Sequence, residues 1–453
     1  MSTSLIFLIT VAISAVFYIR YIGVNFTLSS LLLGLMLILH GPLYLYYTRV
    51  WGPETAFFTT ILFAAPKWEV IPSLDLALAL SFCGICAGMV LSDSVFGSSR
   101  LKMQDAISSW SRETVRIPRG VAERIEVVAA TGVMVLVFFI VVENSIPHVI
   151  TYFSSDAFEF EKIAMRREYG GSRFYLLNLL NNNVFPYVAF CCFVLLREDA
   201  IRLKLVAYAF IAVVLFEKAA TLSKAPLAIF VLQLMVVEYL RRSLRVRLGV
   251  VLGFVAICIV LFGAMTAVAV REVSGISATL DFLFYRIFMI VNESLLEYFA
   301  AIPNVLPHSW GSQFSWLVSS LQSQPSPPTY LLVGAVHRGV TGSTTTAMFI
   351  ADAWADFSWA GILCYSVLAG FLVRWLDIQL ILKRGKTAAT IAGLALGQYG
   401  VFIMLSTALQ TAMVTGGLVL VVPLTMGISS AFKWRSTKGH SKSFNNMARI
   451  EQA

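Results

Sequence analysis

The chain has 453 residues, 58% hydrophobic and 13% charged, and its 34 Lys and Arg exceed 25 Asp and Glu to give a net charge of +9. Soluble chains are typically about half apolar and about a quarter charged, so half of the charge that would solvate a globular surface is missing. That excludes an ordinary soluble protein and, with apolar runs near the ~20 residues that cross a ~30 Å hydrocarbon core, predicts an all-α polytopic transmembrane bundle.

The first apolar stretch, 3–18, lacks the basic leader and small-residue cleavage site of a secretory signal and is expected to stay as a span. Further spans are expected at 27–46, 73–92, 125–142, 175–196, 203–217, 219–239, 248–270, 347–373, 387–406 and 408–430. Residues 56–65 are apolar but short, a twelfth span or a re-entrant piece, so about 11 to 12 crossings are expected in a single integral-membrane domain over 1–453. The basic loop 93–124, with Arg100, Lys102, Arg112, Arg116, Arg119 and Arg124, marks the cytoplasmic side. Alternation places on that same side Arg197, Arg202 and Lys204, then Arg241, Arg242, Arg245 and Arg247, then Arg374, Lys383, Arg384 and Lys386, and the tail 433–453. Left outside are the arginine-rich segment 143–174, the turn Lys218–Lys224 and a large extracytoplasmic loop, 271–346. Within that loop Thr279–Phe299 has apolar Leu283, Ile287, Val291 and Leu295 at helical spacing, which predicts an amphipathic helix on or in the outer interface. Pro303, Pro307, Pro325, Pro327 and Pro328 then predict a loop without long helices.

Several chemistries drop out. There is no Gly-rich phosphate loop followed by Lys-Ser/Thr and no dinucleotide glycine motif, so ATP-driven work is not expected. The cations sit between spans rather than on a basic-aromatic platform, which excludes nucleic acid as a partner. All six cysteines lie in or against apolar spans, and the Cys83–Cys86 pair has no second pair nearby; neither a disulfide framework, a metal nor any other cofactor is expected.

What topology leaves unexplained is a set of cations on the outer side: Lys162, Arg166, Arg167 and Arg173, then Lys218 and Lys224, then Arg271, Arg286, His337 and Arg338. Singly, each is satisfied by an ion pair with a neighbour such as Glu161, Glu168, Glu217, Glu272 or Asp281, or by snorkelling. As a group at the membrane boundary they suit a dianionic headgroup, because a guanidinium offers two parallel hydrogen bonds to a phosphate. Hydroxyls in Thr341–Thr346 lead into the span holding Asp352 and Asp356 and suit a polyol substrate.

Together with Thr221-Leu222-Ser223-Lys224-Ala225-Pro226 at the head of a span and Asp356-Phe357-Ser358-Trp359-Ala360-Gly361 late in the chain, these residues give a sequence that resembles the bacterial O-antigen and exopolysaccharide repeat-unit polymerases. Asp356 and Ser358 stand where the family commonly has Asn and Gly, and Lys224 where Arg is frequent. The resemblance implies a metal-independent, inverting glycosyltransferase of the inner membrane with its site facing outwards. Its substrate would be an undecaprenyl-diphosphate-linked oligosaccharide, its surroundings membrane lipid, and its partner a chain-length regulator. Arg166, Arg167, Arg173, Lys218, Lys224, Arg271 and Arg286 would bind the diphosphate, Arg338 would stabilise the leaving group, and His337 would be the general base, with Asp352 and Asp356 as alternatives. An O-antigen ligase would use the same donor. A secondary transporter or lipid-linked oligosaccharide flippase is the rival from another class, with Asp75 and the run Asn178, Asn181, Asn182 and Asn183 as its polar groups.

Overall fold

The computed structural model describes residues 2–54, 67–115, 119–154, 161, 165, 169, 177, 179–196, 201–222, 224–269, 275–311, 327–339 and 343–428. Among them there is no strand beyond one isolated bridge between Asn25 and Arg245, and the fold is all-helical. In chain order the helices used below are α1 (Thr3–Ile22), α2 (Leu28–Trp51), α3 (Glu69–Val95), α4 (Gly120–Val142), α5 (Leu180–Leu195), α6 (Ile201–Ala220), α7 (Lys224–Arg242), α8 (Leu248–Ala264), α9 (Ile290–Ala301), α10 (Thr329–Arg338), α11 (Phe349–Leu382), α12 (Ala388–Met404) and α13 (Leu409–Ile428). Six of these, α1 to α4, α11 and α13, are long and apolar enough to cross a membrane. Against the 11 to 12 crossings expected, α5, α8 and α12 are apolar but shorter, α6 carries Arg202, Lys204, Glu217 and Lys218, and 56–65 lies outside the described residues.

The helices fall into two compact units. One comprises Met1–Asp105, Arg245–Ile378 and Gln398–Gly416. Its core is the crossing of α3 and α11, where the backbones touch because small residues face each other: a Cβ on Gly88 would meet the Val367 carbonyl, and one on Gly370 the Ile85 carbonyl. The Gly84-x-x-x-Gly88 spacing is the sequence basis of that approach. Polar groups then tie the crossing to its neighbours. Asp93 on α3 accepts two hydrogen bonds of 2.9 Å from the Arg374 guanidinium of α11, one of 2.7 Å from Tyr21 and one of 2.6 Å from Ser98. Arg374, which the charge pattern places on the cytoplasmic side, is 1% exposed and forms half of a buried fork. Asp75, the midplane candidate of the transporter reading, likewise accepts from Ser4, Tyr44 and Arg49 at 2.7, 2.7 and 2.9 Å. Asp377 supplies the start of α2: it accepts from the Leu28 and Ser29 amides at 2.9 Å each and from the Ser29 hydroxyl at 2.6 Å, satisfying donors that a helix N-terminus leaves free.

The other unit comprises Ala106–Leu244, Gln379–Gly397 and Gly417–Ala453. Here α6 packs on α4, with Gly132 making room for the Phe210 ring, and α5 lies against α4, α6 and α7. Lys386, also placed on the cytoplasmic side by the charge pattern, is buried and donates to the Trp110 and Glu113 carbonyls at 2.8 Å each. α6 runs on to Ala220, which takes Lys218 out of the expected outer turn and into the last helical turn.

Candidate functional site

The site is built on α9. The stretch expected as one interfacial helix over Thr279–Phe299 divides in two: its leading part, Ile276–Phe284, is largely exposed, whereas α9 is buried at every position from Asn292 to Ala301. The reason is that α9 is packed by α3, α10 and α11, so its polar positions face protein rather than headgroups. Glu293 and Glu297, one turn apart and hence on one face, are 3% and 0% exposed. Glu293 accepts a 2.7 Å hydrogen bond from the Tyr285 hydroxyl. Neither carboxylate oxygen of Glu297 has a hydrogen-bond donor among the described residues, and the Arg338 guanidinium stands 3.7 Å away. Burial pushes both carboxyls upward, Glu293 to about 7.

α10 brings the cations. It ends at Arg338 because Gly339 takes the left-handed conformation at φ 63° and returns its amide to the Ala335 carbonyl at 2.9 Å. His337 and Arg338 thus occupy the last turn of a helix, where the carbonyl ends favour positive charge, rather than the loop expected for them. The His337 ring is buried, and its Nε2 lies 2.9 Å from the Glu297 main-chain carbonyl. A carbonyl only accepts, so Nε2 carries a proton, and in the neutral ring Nδ1 keeps the lone pair. This fixes one tautomer and leaves Nδ1 as the basic atom.

α11 brings the aspartates. Its helix is broken at Phe357 and Ser358, the latter at φ 55° and ψ −141°, just after Asp356. Asp356 accepts from the Ser309 hydroxyl at 2.8 Å and the Tyr365 hydroxyl at 3.4 Å; Asp352, one turn earlier, meets the Tyr298 hydroxyl at 3.5 Å. Tyr298 adjoins Glu297 on α9, and Phe299 stacks on Trp354 with ring centroids 4.8 Å apart. His308 and Trp354 lock the segment before α10 to α11 through Nδ1 of His308 on the Trp354 carbonyl at 3.0 Å and the Trp354 indole on the Ile302 carbonyl at 2.9 Å.

Of the residues singled out from the sequence, His337, Arg338 and Asp352 therefore meet α9, and Asp356 lies one turn beyond Asp352 on α11. Arg286 does not join them by any described contact; it is exposed, with its guanidinium 5.7 Å from the Phe282 ring. Lys218 belongs to the other unit, where it is buried rather than snorkelling and donates to Asn182 Oδ1 at 3.1 Å beside a Glu217–Asn181 hydrogen bond of 3.1 Å. Arg166, Arg167, Arg173 and Arg271 lie outside the described residues, as does the side chain of Lys224. Sequence reading missed Glu293, Glu297, Tyr285 and Tyr298, although two glutamates at i and i+4 as the sole charges in a dozen residues were the available signal. Against family models, curated proteins and solved structures the chain has no match.

Proposed function

We propose that the protein is a membrane glycosyltransferase that polymerises undecaprenyl-diphosphate-linked oligosaccharide units at the outer face of a bacterial inner membrane. The observation that carries this reading is the convergence on Glu297 of a tautomer-fixed histidine and an arginine, His337 and Arg338, beside the aspartates of a broken span. Further support comes from Ser358, whose positive φ falls where the polymerase pattern commonly has Gly.

In this scheme a sugar hydroxyl of one lipid-linked unit attacks the anomeric carbon of another. The new C–O bond forms as the bond from that carbon to the diphosphate oxygen breaks, with inversion. Nδ1 of His337 takes the hydroxyl proton, and Arg338 stabilises the charge that grows on the departing undecaprenyl diphosphate. Asp352 and Asp356 stand as alternative bases.

Deleting the gene in its native host and resolving lipid-linked and surface glycans by size tests the reading. Loss of long chains with single units retained on the carrier or on the lipid core is the expected result, and long chains stranded on the carrier would identify a ligase instead. A flippase is the second reading, favoured by the breaks in α2 at His40–Gly41 and in α11 at Phe357–Ser358, since interrupted spans are how transporters build midplane sites. Single units trapped on the inner leaflet would select it.

A further inference from the structure

On the reading that Arg338 binds a diphosphate, the two glutamates beneath it acquire a role of their own. The cluster holds two carboxylates, Glu293 and Glu297, and one guanidinium within reach, so full ionisation would leave an uncompensated negative charge where almost no water enters. Among the described residues, the groups that face the pair each have a part in the balance, the Thr345 hydroxyl beside Glu297 included. Tyr285 donates to Glu293 at 2.7 Å, and Tyr47 of α2 lies against the same carboxyl. From α10 come His337, whose Nε2–H is spent on the Glu297 main-chain carbonyl, and Arg338. From α11, Asp352 is screened by Tyr298; on α3 the buried carboxylates Asp75 and Asp93 are engaged by Arg49 and Arg374.

Arg338 is the exposed charge of this set. Its side chain is 36% exposed while that of Glu297 is fully buried, and at 3.7 Å the two share an ion pair without a hydrogen bond. An anion arriving from solvent meets the guanidinium first, competes with Glu297 for it, and adds a like charge beside the carboxylate. Both effects drive a buried carboxylate to take up a proton.

We propose that Arg338, Glu297 and Glu293 form a proton-linked anion site, in which a prenyl diphosphate bound at Arg338 is accompanied by protonation of the glutamate pair. The linkage has a sign. Glutamates that are ionised before binding and protonated after it weaken binding as pH rises, by up to about tenfold per pH unit for one proton. Below the range in which the free pair titrates, the pH dependence vanishes.

The experiment uses the full chain in lipid nanodiscs and farnesyl diphosphate as probe, with calorimetric titrations between pH 6 and 8 in buffers of different ionisation enthalpy. The expected result is net proton uptake on binding to the unaltered protein, at least halved in Glu297→Gln and absent when Glu293→Gln is added. Binding without proton uptake in the unaltered protein overturns the proposal and leaves the diphosphate reading standing, and it needs no variant to fold. Unchanged uptake in the double variant, eluting as the native particle, overturns it as well. No binding of farnesyl diphosphate at all removes the diphosphate reading and the proposal with it.

Discussion

Glu293 is a carboxylic acid held at 3% exposure, and burial pushes it up to about 7 against the Tyr285 hydrogen bond, which favours the ionised form. An acid whose folded pKa lies above its ordinary value binds more protons folded than unfolded, so stability is greatest below the ordinary glutamate range and declines as pH rises from about 4.5 to about 7. The loss is on the order of 3 kcal/mol when only this group is counted. The melting temperature of the purified protein is therefore expected to fall between pH 5 and pH 8, and Glu293→Gln, which cannot ionise, to flatten the curve; a parallel curve would assign the dependence elsewhere. Ser358 offers a second residue-scale test. A non-glycine side chain at φ 55° and ψ −141° costs roughly 1–3 kcal/mol, so Ser358→Gly is expected to stabilise by about 1 kcal/mol once the extra freedom of the unfolded chain is deducted. A lower melting temperature in that variant would mean the serine hydroxyl outweighs the strain. His337, Arg338, Asp352 and Asp356 were legible beforehand because polar groups bordering an apolar span invite attention whatever surrounds them. Glu293 and Glu297 were not, since an i, i+4 acidic pair reads equally well as a solvated face until the neighbours of α9 are known.

At the scale of elements the same division recurs. Helix existence followed from runs of apolar residues, and α1, α2, α4 and α13 lie close to where those runs predicted them. Helix ends were less legible, because they depend on partners distant in sequence: the start of α2 is satisfied by Asp377, 348 and 349 positions away, and the break in α2 sits where the His40 ring donates to Asn292 of α9 at 2.9 Å. Charge alone also misjudged α11, whose Arg374 was counted among loop cations although it forks onto Asp93 across the α3 crossing. A buried fork of this kind predicts strong asymmetry between single and double substitutions. Arg374→Met alone strands the Asp93 carboxylate and is expected to cost about 3–5 kcal/mol, and Asp93→Leu alone a similar amount. Combined, they leave no unpaired charge and are expected to cost well under the sum. A double-mutant cycle on thermal or denaturant unfolding measures this, and additive losses would show that the two side chains do not depend on each other.

For the whole molecule, the decisive feature is where the apolar surface lies. Soluble proteins turn their large aliphatic residues inward, but here α1 exposes Ile13, Val16 and Ile19, and α4 exposes Met134, Phe138 and Val141, each with more than half of its surface uncovered. Six helices of sufficient length share this character with a chain in which only 13% of residues are charged, and lipid is the solvent that makes such a surface stable. Met134 provides the sharpest test, since it sits 66% exposed well inside α4. On a water-facing surface Met134→Lys would be neutral or improve solubility. On a lipid-facing one it places an ammonium in hydrocarbon, at about 2.5–3.5 kcal/mol near a helix centre before snorkelling relieves part of it. The expected outcome is a steep fall in membrane-inserted protein in a fractionation assay, with Met134→Leu unaffected. Equal insertion of the lysine variant would place this face of α4 against water or another polypeptide and reduce the count of lipid-facing spans by one.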